Sequence, residues 1–411
     1  MTDRYSQHTF ENGLTLLCEK MPGMQSAAMT LLVPTGTSTE PADALGSASV
    51  LCDLVLRGAG ERDNRALTEH LDGLGLQRSS AVGVHHTRFG ASAVAANVME
   101  SLDAYADIVM RPRMPEDGFA AGRDLALQAL AGLDDDPRQK LSIQLREWLL
   151  PSPFGRSSLG KKEDLERLTL DSMKADFAQR YHANGAILAL AGNIDFEGVK
   201  EAVGRNFGSW QGRATPPVEV KPPPGPYHFD ETPSEQTHIG IGYGSVPETH
   251  DDYYVVRLAI EVLGGGMSSR LFTEVREKRA LCYSVGAHYG SLKGHGSIFG
   301  YAGSSNDRAQ ATLDTFIAEV HRLSAGVTQD ELDRAKIGLK ASTIMSGEST
   351  GSRAGAIAHD YFIRGRIRTL EEISDAITSV SLDRVNAYLK NNPPGEFTIV
   401  IVGPKELKLP A

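Results

Sequence analysis

The sequence predicts an α+β fold of two homologous halves, each a mostly antiparallel sheet with helices packed on one face. Three observations lead there. An amphipathic helix leading into an apolar strand is written twice, about half a chain apart: TLDSMKADFAQRYHANGAILALAG ends at Gly192, and SLDRVNAYLKNNPPGEFTIVIVG ends at Gly403. Between the two lies TPPVEVKPPPGPYHFDETP, whose prolines fix φ and deny backbone donors, so residues 215–235 read as an extended linker. A chain of 411 residues also exceeds what one compact core of ordinary size holds. The expected division is a first domain over 1–214 and a second over 236–411.

Within each half the order of elements follows from the period of the apolar residues. The first half opens on GLTLLCEK and SAAMTLLVPTG, which read as strands, and continues into RALTEHLDGLG, where apolar residues recur at helical spacing. The second half opens on HIGIGYGSV as a strand and runs into QATLDTFIAEVHRLSAG as a helix. Strands grouped first and helices after them fit α+β layers.

Composition narrows the function classes. A hydrophobic share of 41% with 23% charged residues is the balance of a soluble globular protein. The net charge of -10 disfavours nucleic acid or an anionic membrane as a general partner, because phosphate binding is driven by Lys and Arg. The three cysteines, Cys18, Cys52 and Cys282, are far apart and form no Cys-x-x-Cys pair, which suggests neither a disulfide framework nor a thiolate zinc site. The first residues, MTDRYSQHTFENGLTLLCEK, lack a basic segment followed by an apolar run, and no stretch of about 18 apolar residues occurs. The expected location is cytoplasmic.

The most telling segment is GSASVLCDLVLRGAG, residues 46–60. Gly46, Ala48, Arg57 and Gly58 match the frame Gly-x-Ala-His-x-x-Glu-His-x-x-x-Lys/Arg-Gly, and the segment resembles the inverted zinc helix of the pitrilysin or insulinase family. In that frame two imidazoles on one helical face hold Zn²⁺, and the Glu between them positions its water. The three positions are here Ser49, Cys52 and Asp53. The family's remaining ligand, a Glu about 75 residues downstream on a helix before an acidic stretch ending in Pro, falls on or beside Ala129 in RDLALQALAGLDDDP. Neither Ala129 nor Leu130 can bind a metal. Cys and Asp are zinc ligands in other settings, but Ser is a poor one, so no metal is expected on this chain.

The resemblance runs from FENGLTLL through SPFGRSSLGKKEDLERLT and YHANGAILALAGN to the last strand, and so over nearly the whole chain. It implies one half of a clamshell in which two such units face each other. It also implies a clamp, because REKRALCYSV looks like the family segment in which an Arg and a Tyr seven residues apart reach toward the zinc-bound peptide. These are Arg276 and Tyr283. A Tyr hydroxyl aimed at the oxyanion of a cleaved amide, with an Arg orienting the peptide, stabilises charge that develops in the transition state. The family further holds substrate as an added strand along a sheet edge, and LGLQRSSAVGVHHTRF occupies that place, with Ser79 and Ser80 where the pattern usually has Asn-Ala.

Other matches carry blander readings. His85 and His86, adjacent on a strand, would point to opposite faces and not chelate together, one at the surface and one partly buried. GESTG at 347–351 matches the nucleophile elbow around Ser349, yet a helical pattern precedes it where the elbow needs a strand. LGGGMSSR lacks the end of a phosphate loop, and Gly264–Gly266 read as a helix end or a flexible strip beside the clamp. A chain that keeps the clamp and lacks the metal resembles the noncatalytic, alpha-type subunit of two-subunit members. The resemblance implies a heterodimer with a zinc-bearing chain that carries His-x-x-Glu-His, with Zn in that partner and none here, acting on peptides. The alternative is a proteolytically silent homodimer, a scaffold or a peptide-binding protein.

Overall fold

The computed structural model describes residues 4–213 and 218–409. The described residues up to 131, from 156 to 220 and from 346 to 367 form one compact unit; those from 132 to 155, from 221 to 345 and from 368 onward form a second. The labelled strands are β1 (Tyr5–Thr9), β2 (Thr15–Lys20), β3 (Ser26–Val33), β4 (Gln77–Val82), β5 (Thr87–Val94), β6 (Ile187–Gly192), β7 (Tyr227–Glu231), β8 (Gln236–Ser245), β9 (Ser284–Leu292), β10 (His295–Ser305) and β11 (Thr398–Gly403). The helices that matter here are α1 (Ser47–Leu54), α2 (Glu116–Ala131), α3 (Pro137–Leu149), α4 (Leu170–Arg180), α5 (Tyr253–Gly264), α6 (Ala309–Leu323), α7 (Gln329–Gly347), α8 (Thr350–Arg364) and α9 (Leu382–Asn391).

The first unit holds a six-stranded sheet in the order β1-β2-β6-β3-β5-β4, antiparallel except for β2 beside β6. The second holds a five-stranded sheet in the order β9-β10-β8-β11-β7, antiparallel except for β11 beside β7. Each sheet therefore has one parallel pair in the corresponding place, and the duplicated helix-strand motif recurs as α4–β6 and α9–β11. Both motif helices start on a side-chain cap: the Thr169 hydroxyl accepts from Ser172 N–H and the Ser381 hydroxyl from Arg384 N–H. The α+β class and the two halves agree with the sequence.

Two details differ. The sequence suggests helices on one face of each sheet, whereas both faces are covered. In the first unit Leu17, Ile187 and Ala189 on the second face pack with Ile357 and Ala358 of α8, a helix from the C-terminal half of the chain. In the second unit Phe299, Val400 and Val402 pack with Leu141 and Leu145 of α3, from the N-terminal half. The reason lies in β6 and β11, which are buried along their whole length and so need apolar cover on both sides. The boundary is thus crossed by one helix in each direction.

The second detail is the linker over 215–235. Residues 215–217 lie outside the described residues, and Tyr227–Glu231 forms β7, with Tyr227 and Phe229 packed on the second core. Alternating Tyr and Phe after the last proline of the run pull the chain into the sheet edge, where a preceding Pro is tolerated.

Close approach of the exchanged helix α3 also explains GIGYG. A Cβ at Gly242 would lie 2.5 Å from Leu149 Cδ2 and one at Gly240 3.2 Å from Leu145 Cδ2, so these two glycines thin the strand for the helix, whereas Gly244 faces open space. Among the described residues no helix is long and apolar enough to cross a membrane.

Candidate functional site

α1 is placed by the residues that make up the motif frame. Gly46 precedes it at φ +96°, where a Cβ would also lie 2.8 Å from Leu165 Cδ2, and Gly58 beyond it sits at φ +108°. Ala48 is buried, and Arg57 pairs with Asp53. Every frame residue therefore has a backbone or packing reason to be what it is, independent of any metal. A buried carboxylate missed by the sequence analysis completes the start of the helix: Glu40 Oε1 accepts from Gly46 N–H at 3.1 Å and Ala48 N–H at 2.9 Å. Burial pushes the Glu40 carboxyl up to about 7, against the lowering effect of those amides and of Arg180 and Arg156.

Each position where the frame would hold a ligand is otherwise engaged. The Ser49 hydroxyl donates to the Ser158 carbonyl at 2.6 Å. Cys52 is buried; burial pushes its thiol up to about 11, with a side-chain hydrogen bond to Ser80 opposing that shift. Asp53 accepts from Arg57 Nε at 2.5 Å and from Arg57 Nη2 at 3.2 Å, a bidentate pair. Across from Asp53 stands Gly122 of α2, where a Cβ would lie 2.6 Å from Asp53 Oδ2. Ala129 lies seven residues further along the same helix, on the same side, and is exposed. Among the described residues no three His, Cys, Asp or Glu side chains gather as a metal site.

Ser79 and Ser80 lie on β4, at the edge of the first sheet, paired in register with Gly90 and Phe89 of β5. The Cys52–Ser80 contact brings the substrate-edge candidate against the helix of the degenerate motif. His85 and His86 fall in the turn after β4, so strand alternation does not apply to them. Both are half-buried and both rings meet Phe362 of α8, with centroids at 5.2 Å and 4.4 Å. Ser349 sits between α7 and α8 and caps α8, accepting from Ser352 N–H. That is a helix-to-helix junction without the strand a nucleophile elbow requires.

In the second unit Arg276 and Tyr283 come together. Phe272–Glu277 winds as a π-helix, a form frequent at functional sites, and lets the Arg276 guanidinium lie 4.6 Å from the Phe272 ring and 5.2 Å from the Tyr283 ring. The turn between them is anchored: the Ser304 hydroxyl donates to the Leu281 carbonyl at 2.7 Å, and Arg308 to the Ala280 carbonyl at 2.6 Å. Glu274, its carboxyl lowered chiefly by the hydrogen bond from Lys278, pairs with both Lys278 and Arg279. Arg276 makes no ion pair among the described residues, and Tyr283 is 81% exposed. A large aromatic held at an anchored turn and left open to solvent, beside a free guanidinium, can offer a hydroxyl and a fork of N–H donors to an incoming carbonyl. Phe272 was not anticipated; its place one turn before Arg276 is the sequence signal. Gly264 ends α5 and Gly265 caps it, donating to the Glu261 carbonyl at 2.9 Å.

Two family models match the chain: Insulinase (Peptidase family M16) over residues 15–153, and Peptidase M16 inactive domain over 167–339. The chain belongs to the M16 peptidase family. Its M16 relatives include an uncharacterized zinc protease of Rickettsia felis, 26% identical over 99% of this chain and 100% of that one. Another is the uncharacterized zinc protease YmxG of Bacillus subtilis, 25% identical over 97% of this chain and 98% of its own. Among solved structures, a peptidase M16 inactive domain from Pseudomonas fluorescens matches at a TM-score of 0.90 and 22% identity, covering 99% of this chain and 100% of that one. A protease from Helicobacter pylori matches at 0.90 and 21%, covering 97% and 99%. At these identities the structures show the two-domain M16 fold.

Proposed function

We infer that this chain is a noncatalytic M16 subunit. In this reading it pairs with a zinc-bearing chain of similar size that carries His-x-x-Glu-His, helps to enclose peptide substrates, and lends Arg276 and Tyr283 to that chain's active site. The observation that carries it is a contrast. Ser49, Cys52 and Asp53 are spent on a carbonyl, a neighbouring serine and an arginine, while Arg276 and Tyr283 are stacked, anchored and unspent. The turn that leads to Tyr283 is fixed by two hydrogen bonds to its backbone, from Ser304 and Arg308, which supports a retained role for the exposed ring. Zn²⁺ belongs to the partner in this reading, and the cytoplasm is the compartment that fits three separated thiols.

The test begins with the tagged chain purified from its own source at native expression, with the copurifying proteins identified by mass. Recovery of a chain bearing His-x-x-Glu-His supports the split site. Recovery of this chain with itself alone favours the silent homodimer. In a reconstituted complex Arg276→Ala and Tyr283→Phe are expected to lower kcat by about ten- to a thousandfold, as loss of oxyanion stabilisation does, with pairing intact by sedimentation. Unchanged turnover in both variants would remove the clamp role.

A further inference from the structure

A cavity of about 430 Å³ lies within the second unit at the end of β8, among α5, α6 and α9. Local sequence shapes its mouth. The Asn392 backbone and side-chain N–H groups both donate to the Tyr388 carbonyl, at 2.8 and 3.0 Å, which closes α9; Pro393 and Pro394 follow, cannot continue the helix, and form the lip. The walls belong to the core: Val256 and Ile260 of α5, Ile298 of β10, Leu323 of α6 and Leu389 of α9 line the space, each no more than 6% exposed. A space bordered by core residues of four elements is a recess in the fold, and its size falls within the roughly 300–1,000 Å³ of small-molecule sites.

One buried polar group stands among these walls without a partner. Tyr243 of β8 is 9% exposed, its ring set edge-on to Phe397 with centroids 5.7 Å apart, and its hydroxyl makes no hydrogen bond among the described residues. Burial, with Tyr388 close by, pushes its phenol far above the ordinary range, so the hydroxyl keeps its proton and can donate it. A buried hydroxyl left unpaired is costly, and because Tyr243 itself lines the recess, the partner it lacks has to come from within it. A lone water would satisfy the hydroxyl and leave the apolar walls wet. Among the described residues no Asp, Glu, Lys, Arg or His lines the space, so nothing there compensates a charge on an occupant.

We propose that this recess binds a small uncharged molecule with an aromatic or branched apolar body and one carbonyl-type acceptor, the body filling the space among α5, α6 and α9 and the acceptor taking the Tyr243 hydroxyl proton as a hydrogen bond. Such a ligand satisfies the walls and the hydroxyl together, the usual composition of a small-molecule site: an apolar lining with one or a few placed polar groups. The site uses none of Arg276, Tyr283 or a partner's metal, so it extends beyond the subunit role and does not rest on it.

Three probes of one shape test this on the purified full chain by ligand-observed NMR: benzophenone, with the acceptor; diphenylmethane, its hydrocarbon twin; and 4-benzoylbenzoate, which adds a charge. Benzophenone is expected to bind about three- to tenfold tighter than diphenylmethane, as one neutral hydrogen bond allows, and 4-benzoylbenzoate at least about tenfold weaker than benzophenone. Tyr243→Phe keeps the ring and is expected to erase the preference for the ketone, while Ala259→Leu, which puts a larger side chain into the lining, is expected to weaken ketone and hydrocarbon alike. Irradiated benzophenone, which inserts into nearby C–H bonds, is expected to label peptides from 253–264 and 382–391. Absence of benzophenone binding up to its solubility, equal affinity for ketone and hydrocarbon in the native chain, a Tyr243→Phe variant that keeps the preference, or labelling confined to other segments would overturn the proposal. So would sedimentation showing that benzophenone dissociates a self-associated form, since the recess would then hold a side chain of another copy.

Discussion

Arg353→Met isolates the interaction that ties α8 to the first sheet. Glu19 on β2 is 0% exposed and is held between two arginines: Arg353 Nε donates to Oε2 at 2.8 Å, and Arg4 donates to Oε1 through Nε at 3.1 Å and Nη2 at 2.9 Å. Methionine fills much of the arginine's apolar volume and removes its charge, which leaves the buried carboxylate with one partner. Removing one member of a buried pair typically costs 3–5 kcal/mol; the surviving Arg4, itself 38% exposed, keeps part of the compensation, so about 3 kcal/mol is expected. Adding Glu19→Gln removes the stranded charge and retains an acceptor for Arg4, so the double variant should recover about 2 kcal/mol of that loss. The two tryptophans give the assay its resolution, since Trp210 lies in the first unit and Trp148 in the second. In a Trp148→Phe background, urea unfolding followed by Trp210 fluorescence should show the drop and the recovery, and amide exchange should show residues 350–364 opening faster in the single variant. A single variant within about 0.5 kcal/mol of the parent, or a double variant worse than the single, would refute the view that a buried ion pair anchors the exchanged helix.

Three further outcomes follow from other sites. Glu40 has a folded pKa raised from 4.5 to about 7, so the native state holds the proton more tightly; its contribution to stability is greatest below 4.5 and is lost as pH rises through 7, a swing of up to about 3 kcal/mol. Glu40→Gln should flatten urea stability between pH 5 and 7.5 by that order, and an unchanged slope would show the carboxyl to be ordinary. Ser349→Ala should cost about 1 kcal/mol as a lost helix cap, and a fluorophosphonate probe should leave the native serine unlabelled; labelling at Ser349 would restore the hydrolase reading. Elemental analysis of the native chain should find less than stoichiometric zinc, whereas Ser49→His, Cys52→Glu, Asp53→His and Ala129→Glu together should bind it; full occupancy of the native chain would overturn the degenerate-site argument.

What the sequence could and could not reveal follows from where the determining forces act. The repeat was legible because β6 and β11 carry their apolar pattern locally, behind capped helices whose Thr169 and Ser381 are visible in the sequence. The exchange of α3 and α8 was not, because a helix records that one of its faces is apolar and not which sheet receives it. The demand for a second cover was nonetheless written in ILALAG and TIVIVG, which have no polar face at all. Gly240 and Gly242 of HIGIGYGSV were the complementary mark, a strand thinned to admit α3. The degenerate site was legible position by position, since a missing imidazole needs no geometry to be noticed. What replaced each ligand was not: Ser49 reaches a carbonyl 109 residues away, and Cys52 meets Ser80 from another element. Those contacts bear on function. A site that had merely lost its ligands would leave polar side chains open to water. Here Ser49, Cys52 and Asp53 each have a partner, although Ala129 on α2 stays exposed, which makes α1 a settled part of the fold and turns attention to the unspent groups of the second unit, Arg276 and Tyr283.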